Sequence, residues 1–95
     1  MEDNNMPSNT GNTIGGETAQ SLTYGQKAVG LTFNPGGSEE VHRVKEAYAA
    51  IIDGLNDEIS DPSIMYNSEK VRLVKIAITQ AQQAQMWAVK AITWK

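Results

Sequence analysis

The sequence predicts an all-α fold: an antiparallel helical hairpin with a flexible N-terminal arm and a short extended loop, assembling into a compact homo-oligomer. Three observations carry this. Apolar residues recur every three or four positions through two long segments, 38–56 and 69–94, which is the period of an amphipathic helix. A polar connection of about ten residues joins the segments and is short enough to turn the second helix back along the first. The 95 residues cannot divide into two independently cored units, so residues 21–95 form a single domain behind an arm at 1–20.

The arm comes first. Residues 1–20 are mostly Asn, Ser, Thr, Gly and Pro, and ordering them would lose backbone entropy with almost no apolar burial in return. Leu22 to Gly30 allows a short helical turn interrupted by Gly25. In Leu31-Thr32-Phe33-Asn34-Pro35-Gly36-Gly37-Ser38 the residue before proline is pushed to extended geometry, and the two glycines permit positive φ. Ser38 is the expected N-cap of the first long helix, with Glu39 and Glu40 where the helix dipole favours negative charge. Val41, Val44, Tyr48, Ile51 and Leu55 form its stripe, widened by Ala47 and Ile52, and Gly54 to Asp57 mark a frayed end. After the connection, Ser68 and Glu69 open a second helix that meets no glycine or proline before Lys95. It would be about 40 Å long against about 28 Å for the first, so its end overhangs.

The second helix carries two apolar stripes on roughly opposite sides. One contains Val71, Val74, Ile78, Ala81, Ala88, Val89 and Ile92, and the other Leu73, Ile76, Ala84, Trp87, Ala91 and Trp94. A single helical partner covers one of them, and two exposed tryptophans on a soluble monomer would be a sizeable apolar patch. A lone core of this size rarely supplies more than ~3–5 kcal/mol. With no disulfide or metal to help, self-association is the economical expectation. Between the stripes run Arg72, Lys75, Thr79, Gln83, Met86 and Lys90.

Charge is distributed unevenly. The net −3 and a pI near 5 argue against bulk attraction to DNA, RNA or an anionic membrane. Residues 1–37 nonetheless sum to −2, 38–68 to −5 and 69–95 to +4. The basic strip is open to two readings: charge pairing within the hairpin with solvated lysines, or an anion site. Arg72, Lys75 and Thr79 lie at spacings of three and four, so their guanidinium, ammonium and hydroxyl can converge on a phosphate.

Several chemistries are excluded outright. With no cysteine and His42 as the one imidazole, there is no zinc site, disulfide framework or thiol nucleophile. His42 has no serine or carboxylate at a spacing that makes a triad legible, and the acidic residues of the first helix follow surface spacing. Gly36-Gly37-Ser38 resembles half of an anion cradle, but Glu39 and Glu40 directly behind it oppose an anion. No cofactor is expected. Met1 to Asn5 lack the pattern of a signal peptide and no run reaches membrane-span length, so a soluble intracellular protein is expected. Phe33 before Asn34-Pro35 has two readings: an aromatic on a proline-stiffened loop stacking on a base while Asn34 reads an edge, or a plain hydrophobic anchor of the arm on the hairpin. Tyr48 keeps the period of the first helix and is expected in the core.

Leu31-Thr32-Phe33-Asn34-Pro35-Gly36-Gly37, the acidic helix with Val41, Lys45 and Ile52-Asp53, and the terminal run Ala84-Gln85-Met86-Trp87-Ala88-Val89-Lys90-Ala91-Ile92-Thr93-Trp94 together resemble a known group. It is the family of small phage helical-hairpin proteins that contains anti-CBASS protein two and Thoeris anti-defence protein one. The resemblance spans Val29 to Lys95, and Met86-Trp87-Ala88 is its most specific part. It implies a homohexamer, working in the cytoplasm of the infected bacterial host, that sequesters cyclic di- or trinucleotides or cyclic ADP-ribose isomers without cleaving them. It also implies that Phe33 stacks on a base of a cyclic dinucleotide, with Asn34 and Pro35 beside it, and that Lys45 contacts phosphate. Arg72 and Thr79 would line a second site, for cyclic trinucleotides. Where the family loop often has Tyr-His this chain has Phe33-Asn34, so the resemblance does not carry the family's hydrogen bonds to the base over to this chain. The competing classes are a structural or interaction hairpin with no nucleotide ligand and an enzyme degrading the same messengers, for which the chain offers no water-activating group.

Overall fold

A computed structural model describes residues 21–95, and the arm expected at 1–20 lies outside them. In chain order come α1 (Tyr24–Ala28), α2 (Glu39–Asp57), a 3₁₀ turn (Pro62–Tyr66) and α3 (Ser68–Ile92), with no strand among the described residues. The two long helices are antiparallel. Val41 in the first turn of α2 shares a cleft with Val89 and Thr93 at the end of α3. At the opposite end, Lys70 near the start of α3 pairs with Glu58 just past α2 at 3.0 Å.

Capping fixes where each helix begins. The Ser38 hydroxyl accepts from the Val41 amide, as expected of an N-cap. For α3 the cap is Asn67, whose Oδ1 accepts from the Lys70 amide at 3.1 Å, so the helix starts one residue earlier than expected. It also ends earlier, with Thr93 as its C-cap. Within the connection, Asp61 caps the 3₁₀ turn by accepting from the Ser63 amide at 3.0 Å. That bond favours the ionised carboxylate and holds the Asp61 pKa below its ordinary value.

Two expectations for the N-terminal part are corrected. Gly25 does not interrupt the first helical turn; it is buried inside α1, at the contact with α2. A Cβ there would stand 2.1 Å from the carbonyl oxygen of Ala49, and the Gly25 amide donates to Asp53 Oδ1 at 2.7 Å. Glycine therefore lets α1 lie against the α2 backbone, while Thr23 and Gln26 close a capping box at its start. The loop expected to be extended folds instead into two successive turns, closed by Phe33 N–H to Gly30 O and Gly37 N–H to Asn34 O, both at 2.9 Å. Gly30 (φ +62°) supplies the left-handed residue that ends α1, where its own N–H donates to Lys27 O and the Leu31 N–H to Gln26 O.

Val29, Leu31, Ala49, Ile52, Val74 and Ile78 form the core, with Ile52 completely buried. On α2 the buried face is rotated from the expected stripe. Val41 and Ile52 are buried and Val44, Tyr48 and Leu55 half-buried as the period suggests, whereas Ile51 and Ala47 are exposed, and Lys45 and Ala49 are buried instead. The cause is that α2 is covered from two sides, by α3 and by α1 with its following loop, and the second cover draws the buried face toward Ala49. On α3 the first stripe faces the core through Val74 and Ile78. The second stays uncovered within the chain, with Leu73, Trp87 and Trp94 exposed. Among the described residues, no helix is long and apolar enough to cross a membrane.

Candidate functional site

Lys45 is the least expected feature of the site. It is 5% exposed, and its ammonium donates to the carbonyl of Gly30 at 2.9 Å and to the carbonyl of Phe33. Both acceptors lie in the turn before α2, so the side chain ties the loop to the helix. Its Nζ also lies 5.6 Å from the centroid of the Phe33 ring, within cation–π range. Burial pushes the Lys45 ammonium below the ordinary lysine pKa.

The clamped loop presents its aromatic outward. Phe33 is 72% exposed, and below it the amide nitrogen of Asn34 donates to the Ser38 carbonyl at 2.9 Å, fixing the second turn to the start of α2. Phe33, Asn34, Pro35 and Lys45 line one cleft of about 190 Å³, completed by Ser38 and Val41 of the α2 start and by Val89 and Thr93 of α3. Four residues singled out from sequence are thus brought together. An exposed ring, a buried cation and an anchored amide form a small surface suited to stacking on a planar ligand and bonding its edge.

Arg72 and Thr79 are placed elsewhere. They share a shallow depression of about 340 Å³ with Lys75, Ile76 and Gln80. Arg72 lies seventeen positions before Val89 on the same helix, about 25 Å along its axis, so this face is at the far end of the hairpin. The groups here have intrachain partners. Glu69 accepts from Arg72 Nε at 3.1 Å and from Nη2 at 2.7 Å, a fork that raises the Arg72 pKa and lowers that of Glu69. The Thr79 hydroxyl donates to the Lys75 carbonyl at 3.1 Å. Lys75, in contrast, makes no ion pair among the described residues, and it also borders a second depression with Tyr24, Ile78, Thr79 and Gln82. An anion placed here would meet the Lys75 ammonium, which has no ion-pair partner among the described residues, and would have to compete with Glu69 for the Arg72 guanidinium.

Sequence reasoning missed Val89 and Thr93 as walls of the Phe33 cleft, although antiparallel pairing of the helices puts the end of α3 beside the start of α2. It also missed the bonds from Lys45 to the loop carbonyls, for which the sequence gives no local signal. His42 pairs with Glu46 at 3.3 Å on an exposed helical turn, the ordinary surface arrangement. Among the described residues, no group of three or more His, Cys, Asp and Glu side chains is placed to hold a metal ion.

Comparison with known proteins gives one result. A family model described as Acb2/Tad1, hairpin domain, matches residues 26–93, from within α1 to the C-cap of α3. No curated protein and no solved structure gives a significant match. The matched span takes in both long helices, the clamped Phe33 loop and the basic face, and by it the chain belongs to the Acb2/Tad1 hairpin-domain family.

Proposed function

We propose that the protein is a non-catalytic, anti-defence sponge that binds and sequesters cyclic nucleotide messengers in the cytoplasm of a phage-infected bacterium, blocking CBASS or Thoeris-type immunity. The observation that carries this reading is the exposed Phe33 ring on its cation-clamped loop above a cleft. The face of this ring is open to a planar ligand among the described residues. Stacking contributes ~1–3 kcal/mol per base, and a cyclic dinucleotide offers two π-faces with two phosphates between them.

This reading divides the labour among the cleft residues. Phe33 stacks on the base, Pro35 stiffens the loop, and Asn34 presents Oδ1 to the base edge while its nitrogen holds Ser38. Lys45 supplies positive charge beside the ring. Arg72, Thr79 and the neighbouring Lys75 form a second, more electrostatic face suited to cyclic trinucleotides, whose third phosphate adds charge. Both sites are shallow on a single chain, and the uncovered stripe of Leu73, Ile76, Trp87 and Trp94 is the surface through which copies assemble, as a homohexamer, to wall them in.

Incubation of the purified protein with cyclic di- and trinucleotides, followed by heat denaturation and chromatography of the released material, tests the proposal. Retention of a cyclic nucleotide and its recovery intact is the expected result. Linear products would replace the sponge with an enzyme, and no retention of any of them would leave a structural hairpin.

A further inference from the structure

We propose that Lys45 is a positioning residue: by bonding the carbonyls of Gly30 and Phe33 it fixes the Phe33 ring in its stacking pose before a ligand arrives, and it contributes to affinity through the loop rather than through a bond to ligand phosphate. The inference rests on the reading of the Phe33 cleft as a ligand site.

Three observations carry it. An ammonium has three donor hydrogens, and two of them are directed to loop carbonyls. At 5% exposure the group is buried under the loop, whereas a phosphate ligand is ordinarily a solvated side chain that reaches outward. The loop is also shaped to receive it. Gly30 takes φ +62°, and its carbonyl accepts both the Phe33 amide, closing the turn, and the Lys45 ammonium. One acceptor thereby couples the turn that carries the ring to the helix that carries the cation. The 5.6 Å approach of Nζ to the ring centroid adds an attraction that holds the aromatic over the clamp. The lowered pKa of the buried ammonium agrees with a group desolvated for a structural purpose. Affinity gained in this way is preorganisation: the loop is ordered during folding, and binding does not have to order it again.

Phe33 is the single phenylalanine of the chain, so labelling the full-length protein with 4-fluorophenylalanine gives one fluorine resonance, which reports on this ring. Two variants divide the roles. Lys45→Met keeps the length of the side chain and removes its donors, while Gly30→Ala strains the positive-φ turn and leaves the ammonium in place. Circular dichroism checks that each retains its helices, and Gly30→Ala carries the test if Lys45→Met does not fold. The probes are cyclic di-AMP and adenosine, which has the base but no phosphate.

We expect both variants to shift and broaden the ligand-free fluorine resonance. We expect each to weaken cyclic di-AMP and adenosine by a similar factor, about tenfold, as loss of preorganisation predicts. A Lys45→Met protein that loses cyclic di-AMP but keeps wild-type adenosine affinity overturns the proposal in favour of a direct phosphate contact, as does a Gly30→Ala protein with unchanged affinity for both. Should the wild-type protein bind neither probe, the sequestration reading of this cleft falls, and the fluorine spectrum alone decides the clamp: a resonance unchanged in both variants refutes it, and a displaced one sustains it.

Discussion

Phe33 and Lys45 show how far residue types alone can be read. Residue types left Phe33 with two readings and gave Lys45 none; it was the family resemblance that implied a shared site for them. Their mechanical relation was legible in neither, because the hydrogen bonds of Lys45 reach back twelve and fifteen residues to backbone carbonyls, and a carbonyl leaves no mark in a residue pattern. Asn34 is a similar case: its amide closes the loop on Ser38, a local role invisible beside the expected one of reading a base. The ring itself carries a direct prediction. Removing the stacking surface in Phe33→Ala should weaken cyclic-dinucleotide binding by about ten- to hundredfold, in line with ~1–3 kcal/mol of stacking. Calorimetry reads the affinity and light scattering an unchanged particle mass. Equal affinity would remove the ring from the ligand site.

At the scale of elements, both long helices were legible to within two residues at each end, since apolar period and polar caps are local signals. The short α1 was misjudged because glycine inside a helix reads as a defect until its neighbour is known. Here the neighbour is the Ala49 carbonyl, and the lack of a Cβ is what admits it. The same contact explains why the buried face of α2 turned toward Ala49, a displacement that periodicity within α2 could not reveal. Gly25→Ala should therefore be costly although alanine is the better helix former. The clash is with backbone, which cannot swing aside, and overpacking of this kind costs about 1–3 kcal/mol. A thermal melt should show a clear fall in midpoint, whereas Gly54→Ala, on an open face of α2, should leave it unchanged or raise it. The connection has its own acid dependence. Because the folded pKa of Asp61 is depressed, its capping contribution is complete above the ordinary aspartate value and is lost as pH falls through the lower folded value. Protection of the Ser63 amide against exchange, taken relative to its intrinsic rate at each pH, should fall over that interval, and Asp61→Asn should flatten the change.

For the whole molecule, the decisive feature is the second stripe of α3. The sequence showed two apolar faces and one helical partner, and the fold leaves Trp87 and Trp94 uncovered at 69% and 75% exposure. What covers them is a property of surfaces meeting across chains, and one chain's periodicity carries no information about it. Buried tryptophans at interfaces commonly contribute 2 kcal/mol or more, so Trp87→Ala should lower the assembled mass at low micromolar concentration while leaving helicity intact. Multi-angle light scattering checks the first and circular dichroism the second; an undiminished mass would remove this stripe from the proposed interface. The Phe33 cleft has a thermodynamic consequence of its own. Its walls come from residues 33–45 and from Val89 and Thr93, nearly fifty positions apart, so it exists only while the two ends of the chain are docked. A molecule seated there works as a removable crosslink between those ends. At a hundredfold excess over its dissociation constant it would raise the unfolding free energy by about 2.7 kcal/mol, so under the proposed function the melting temperature would gauge how much of the cleft is occupied.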